Sequence, residues 1–174
     1  MYEPMLGASN VPAPPSVRRA LFWLVVATVT QAAITIVHFA HGAHVYDDPS
    51  RLHVVVPTVI CVAVVGLLAI VAAKRPTPLV LWPLALAVGV PFVAMFGLFH
   101  GAFGHGLKLV LFATGTSPER LLEIFDSPDF ATPNDLVFEL TGLSTLVVAG
   151  VVAHHLGRLL CDARSASAPD VEGA

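Results

Sequence analysis

Apolar residues dominate four stretches of the chain, and they run on continuously without alternating with polar ones. They cover roughly residues 21–40, 54–73, 79–103 and 136–157. A helix needs about 20 such residues to cross the hydrocarbon core of a bilayer, so each run is long enough. Continuous runs also exclude a transmembrane β-barrel, whose strands alternate outward and inward residues. The pattern predicts an all-α integral membrane protein, a four-transmembrane-helix bundle with spans near 20–45, 52–73, 78–104 and 133–161. Pro57, Pro83 and Pro91 fall inside these runs; each removes a backbone donor, so kinks are expected there.

Between the third and fourth spans lies a long connection, from about Gly104 to Asn134. Within it, Ser117-Pro118-Glu119 reads as an N-cap, a proline in the first turn and an acid on the positive end of a helix. Leu121, Leu122, Ile124 and Phe125 then share one face, and Glu119, Arg120, Glu123 and Asp126 the other. This predicts a short amphipathic helix over about 118–126, lying on the outer surface or over the bundle mouth and ended by Ser127-Pro128. The segment 105–112 is apolar with Lys108 embedded in it, and it either extends the third span or lies in the interface.

The Pro-, Ala- and Ser-rich residues 1–17 and the small polar residues 165–174 are expected to be disordered tails around a membrane domain of 18–164. The N-terminal stretch has no apolar core, so it does not read as a cleaved signal.

Composition agrees: charged residues make up 12% of the 174, where a soluble domain has about 25%. The net charge of −3 and the lack of a basic run give no support for nucleic-acid binding. The basic residues are distributed unevenly. Arg18, Arg19, Lys74, Arg75, Arg158 and Arg164 all fall at one end of the spans, against Arg51, Lys108 and Arg120 at the other. By the positive-inside rule both termini are cytoplasmic. Cys61 and Cys161 fall toward opposite faces, too far apart for a disulfide, and read as apolar fillers.

The candidate chemistry lies at the outer end. His38, His41 and His44 close the first span, His53 opens the second, His100 and His105 end the third, and Asp135 and Glu139 begin the fourth. A helical bundle builds metal sites from inward side chains on facing helices. His38 and His41 are i,i+3 neighbours if helical, and Asp135 and Glu139 are i,i+4. Imidazole with carboxylate suits Zn, Fe or Cu as a divalent ion. The expected ligands are His38, His41, His100 and Glu139, with His44, His53, His105 and Asp135 as alternates or supporting groups. Glu139 begins a strongly apolar run and needs a partner, for which His38 and His100 are the candidates. Gln31 lies two turns from His38 on the same face, flanked by Thr28 and Thr35, and reads as an interhelical hydrogen-bonding stripe rather than a polar track.

Three functional readings follow. The first is a metal-binding membrane protein, an enzyme if a coordination position stays open. The second is a b-type haem electron carrier with axial histidines from spans one and three. The third is a cofactor-free scaffold or accessory subunit. Expected partners are the lipid bilayer and either a second copy or a larger membrane complex. Nucleophile and phosphate-loop motifs are absent from the sequence, which gives no support to serine or cysteine hydrolase chemistry.

Overall fold

The computed structural model describes residues 13–126 and 131–167. The expected tails at 1–12 and 168–174 lie outside these residues, as do Ser127-Pro128 and Asp129. Helix α1 covers Pro15–Val45, and a 3-10 turn at Pro49–Val54 leads into α2, Val55–Lys74. Helix α3, Pro78–Val88, runs without a break into a π-helical segment, Gly89–Leu107, and then α4, Lys108–Ala113. Helix α5 is Pro118–Phe125 and α6 is Leu136–Ser167. No strand occurs among the described residues. Four helical stretches are long and apolar enough to cross a membrane: Pro15–Val45, Pro49–Lys74, Pro78–Ala113 and Leu136–Ala166.

Ordered helix begins earlier and ends later than the sequence suggests. Residues 15–17 belong to α1, and Val17 is fully buried. Proline suits the first turn of a helix, where its missing N–H costs nothing, so Pro15 starts α1 despite the proline-rich surroundings. At the other terminus α6 continues to Ser167. The third stretch continues to Ala113, so the segment 105–112 extends it, and Lys108 is part of the helix and is buried. Ser117 caps α5 by accepting a hydrogen bond from the Arg120 N–H, and Asp126, in a left-handed conformation (φ 51°), ends it.

The helices form a ring. Helix α6 packs along α1 on one side and along the π segment on the other, while α2 packs against α1 and α3. The interior is divided along its length. Toward the end where the chain enters α1, Val17, Leu21, Leu24, Val65, Leu84, Val88, Phe92, Val152 and Leu159 make an apolar core. Toward the other end the buried positions become polar: Thr28, Gln31, Thr35, His38, His105, Lys108, Glu139 and Thr145 are each 4% exposed or less. Outward faces carry Val, Leu, Ile and Phe side chains on every long helix, among them Phe22, Val56, Leu67, Leu86, Leu98 and Val147. Apolar surface of that extent is unusual for a protein bathed only in water.

The π segment decides which residues meet inside. Val88, Phe92, Gly97, Gly101 and His105 are all buried, at intervals of four, five, four and four residues. An α-helix repeats at 3.6 residues per turn and would carry His105 about 140° away from His100. With i→i+5 hydrogen bonding each turn takes in more residues, which brings His105 round toward the face of His100, and the two rings meet inside. Gly97 and Gly101 give this wide helix a close approach to α6: a Cβ on Gly97 would collide with Ala149, and one on Gly101 with Thr145 and Leu146.

Candidate metal centre

The first contributor is α1. Its inward face carries Thr28, Gln31, Thr35 and His38 on successive turns, all fully buried. Thr28 returns its hydroxyl to the Leu24 carbonyl at 2.8 Å. Both amide atoms of Gln31 and the hydroxyl of Thr35 are buried without a hydrogen-bond partner. The stripe therefore does not join helices by hydrogen bonds, contrary to the expectation for Gln31.

His38 Nδ1 lies 2.9 Å from Thr141 Oγ1 on α6. That hydroxyl has one proton and is 2.7 Å from the Val137 carbonyl, which can only accept. Thr141 thus donates to Val137 and accepts from His38, which places the imidazole proton on Nδ1 and the lone pair on Nε2. Nε2 of His38 is buried and has no hydrogen-bond partner, and the same is true of Nε2 of His100.

His105 follows the same logic. Its Nδ1 lies 2.8 Å from Glu139 Oε2, and a carboxylate oxygen accepts, so Nδ1 carries the proton. Nε2 is left as the basic nitrogen. Gly142 makes the space, since a Cβ there would run into the His105 ring. Glu139 also receives Lys108 Nζ on its other oxygen, Oε1, at 2.5 Å. The side chain of Lys108 is 0% exposed and that of Glu139 6%, so this ion pair is inside the bundle.

The three rings converge. Ring centroids are 4.7 Å apart for His38 and His100, 4.9 Å for His38 and His105, and 4.9 Å for His100 and His105. One ligand atom from each of the three lies within 4.8 Å of the others, a group that could hold a metal ion. Aromatic rings close around it. Phe138 stacks on His38 at 4.2 Å and Phe39 on His100 at 4.9 Å. Gly42 leaves room for Phe138. His100 also lines a pocket of about 300 Å³ with Phe99, Phe103, Gly104, Ile124 and Phe125, so α5 forms one wall of an opening beside the cluster.

The other candidates lie elsewhere. His41 points to Asp135, Nε2 to Oδ1 at 2.9 Å, both about a quarter exposed. His44 is exposed at the end of α1. His53 is exposed and donates Nδ1–H to the Ser50 carbonyl. The structure therefore brings together His38, His100 and His105, and sets Glu139 behind His105 with both oxygens engaged. Glu139 takes its partners from His105 and Lys108 instead of His38 or His100. Lys108 has one signal in the sequence, a lone cation in an apolar run eight residues beyond His100. Both cysteines carry free thiols.

Compared with known proteins, the chain matches no family, no curated protein and no solved structure.

Proposed function

We propose that this chain is an integral membrane protein that holds one divalent transition ion on His38, His100 and His105. The observation that carries the reading is the convergence of these three histidines, two of which keep a buried, unbonded Nε2. A buried polar atom left without a partner costs about 1–3 kcal/mol. A cation accepted by the ring nitrogens removes that cost.

The surroundings fit a metal ligand set. A ligating histidine usually donates its other ring N–H to a carboxylate, carbonyl or water, which fixes its tautomer and orientation. His105 does so to Glu139 and His38 to Thr141. Imidazole donors suit Zn, Cu, Fe and Ni. Three protein ligands leave one position of a four-coordinate ion for water or a substrate atom, the condition under which a metal site performs chemistry. His100 also lines a pocket of about 300 Å³ beside the cluster.

The b-type haem reading fits less well. A porphyrin lies between its two axial imidazoles, and ring centroids 4.7 Å apart leave no slot for it between His38 and His100. The orientation that agrees with the basic residues puts Arg18, Arg19, Lys74, Arg75, Arg158 and Arg164 on the cytoplasmic side and the histidines outside.

Elemental analysis of the protein purified in detergent without chelator tests the proposal, together with an absorption spectrum of the same sample. The expected result is about one transition ion per chain with no Soret band, and its loss in His38→Ala, His100→Ala and His105→Ala. A protein that takes up no metal even when resupplied with zinc, iron and copper would be a scaffold, and the proposal would be wrong.

A further inference from the structure

At the end of the bundle opposite the histidines, α1 and α6 enclose a pocket of about 380 Å³ lined by Ser16, Arg19, Trp23, His155, Arg158 and Asp162. Two guanidinium groups, one from each helix, face the same space. Neither Arg19 nor Arg158 forms an ion pair with any described residue, and neither does Asp162. The two guanidiniums and the carboxylate line the space without closing it.

The first turn of α1 adds to the positive field. It contains no acid, and Pro14 before it provides no side-chain cap. The positive end of this 31-residue helix therefore has no acidic partner of its own. The Trp23 and His155 rings stack at 6.4 Å and form an amphipathic wall.

Position indicates the ligand. Arg19 comes just before the apolar run that starts at Leu21, and Arg158 just after the one that ends at Gly157. Both guanidiniums thus lie at the edge of the hydrocarbon layer, the level of phospholipid phosphates, and tryptophan is enriched at that level. Basic pockets between helices at this depth suit phosphorylated headgroups. A guanidinium binds a phosphate through paired N–H donors. We propose that this pocket is a phosphodiester-binding site for a membrane phospholipid, with Arg19 and Arg158 holding the phosphate and Asp162 available to a headgroup hydroxyl or ammonium.

The site is separate from the metal centre, and its test does not depend on metal. Thermal unfolding of the detergent-purified protein is followed with dihexanoyl-phosphatidylglycerol, with dihexanoylglycerol lacking the phosphate, and with inorganic phosphate. The expected result is a rise in melting temperature with the phospholipid alone. The double variant Arg19→Gln/Arg158→Gln should bind it at least tenfold more weakly, whereas Lys74→Gln, at the same end but outside the pocket, should bind it normally. Both arginines are exposed, so the double variant is expected to fold; the single variants give the same readout if it does not. Equal stabilisation by inorganic phosphate, lost in the double variant, would assign the site to free phosphate as the source. No rise in the native protein, an equal rise with the phosphate-free lipid, or an unchanged rise in the double variant would overturn the proposal.

Discussion

Glu139 accepts the Nδ1–H of His105 at 2.8 Å while its second oxygen holds Lys108 at 2.5 Å, so one carboxylate connects the histidine cluster to a buried cation. This makes Glu139→Gln informative. The amide keeps the shape of the side chain but removes the charge opposite Lys108. Leaving one member of a buried pair without its partner costs about 3–5 kcal/mol. Loss of an outer hydrogen-bond partner typically weakens metal binding about 10–100-fold. Thermal unfolding and metal titration should show both effects. Adding Lys108→Met should recover most of the stability but not the metal affinity; recovery of both would mean that the pair acts through stability alone.

His41 and His105 should separate cleanly. His105→Ala is expected to abolish metal content, and His41→Ala to leave it near the native value, because His41 is engaged with Asp135 away from the cluster. Metal analysis of the two purified variants decides this. Equal loss in both would place the ion nearer the rim than the three rings indicate.

Two glycines of α6 offer a steric test. A Cβ on Gly142 would strike the His105 ring, whereas one on Gly150 would meet nothing within 4 Å. Gly150→Ala should therefore be neutral or stabilise by about 0.5–1 kcal/mol, the usual gain of alanine over glycine within a helix. Gly142→Ala should displace His105 and lower metal occupancy. Thermal melts and metal content of the pair give the comparison.

Gln31→Leu should stabilise the fold or leave it unchanged. Both amide atoms of Gln31 are buried without partners, and such groups cost about 1–3 kcal/mol each, so an apolar side chain of similar size relieves the cost. A marked fall in melting temperature would show that water occupies the stripe and satisfies the amide.

Metal should also be released by acid. A histidine ligates in its neutral form, so protons compete for the same nitrogens. Affinity is full at neutral pH and falls as the pH drops, never the reverse. Metal content after equilibration across a pH series measures it.

The four apolar runs were legible because outward-facing and core-facing positions alike are apolar, so each run stands out whatever its detailed geometry. His38 and His100 were legible for a related reason: a polar ring near the end of such a run has few places to go but inward. The choice between His41 and His105 was not. It depends on hydrogen bonding that widens the helix from Gly89 to Leu107 and turns His105 onto the face of His100. A single sequence carries no direct sign of that widening, and α-helical spacing favoured the His38 and His41 pair instead. Lys108 was missed as the partner of Glu139 because the segment 105–112 could equally extend the third span or lie in the interface, and only the first of these turns Lys108 inward.

If the chain spans a membrane as proposed, the buried pair of Lys108 and Glu139 also bears on how it would enter the bilayer. The two charges come from different spans, so each span delivered alone would bring an uncompensated charge toward the hydrocarbon, at about 2.5–3.5 kcal/mol for a group at the membrane centre and less near its edge. Delivered together as a hairpin, the third and fourth spans carry both charges inward already matched. Biogenesis is then expected to hold the third span beside the translocation machinery until the fourth has been synthesised, and a chain truncated before Leu136 should insert its last span poorly.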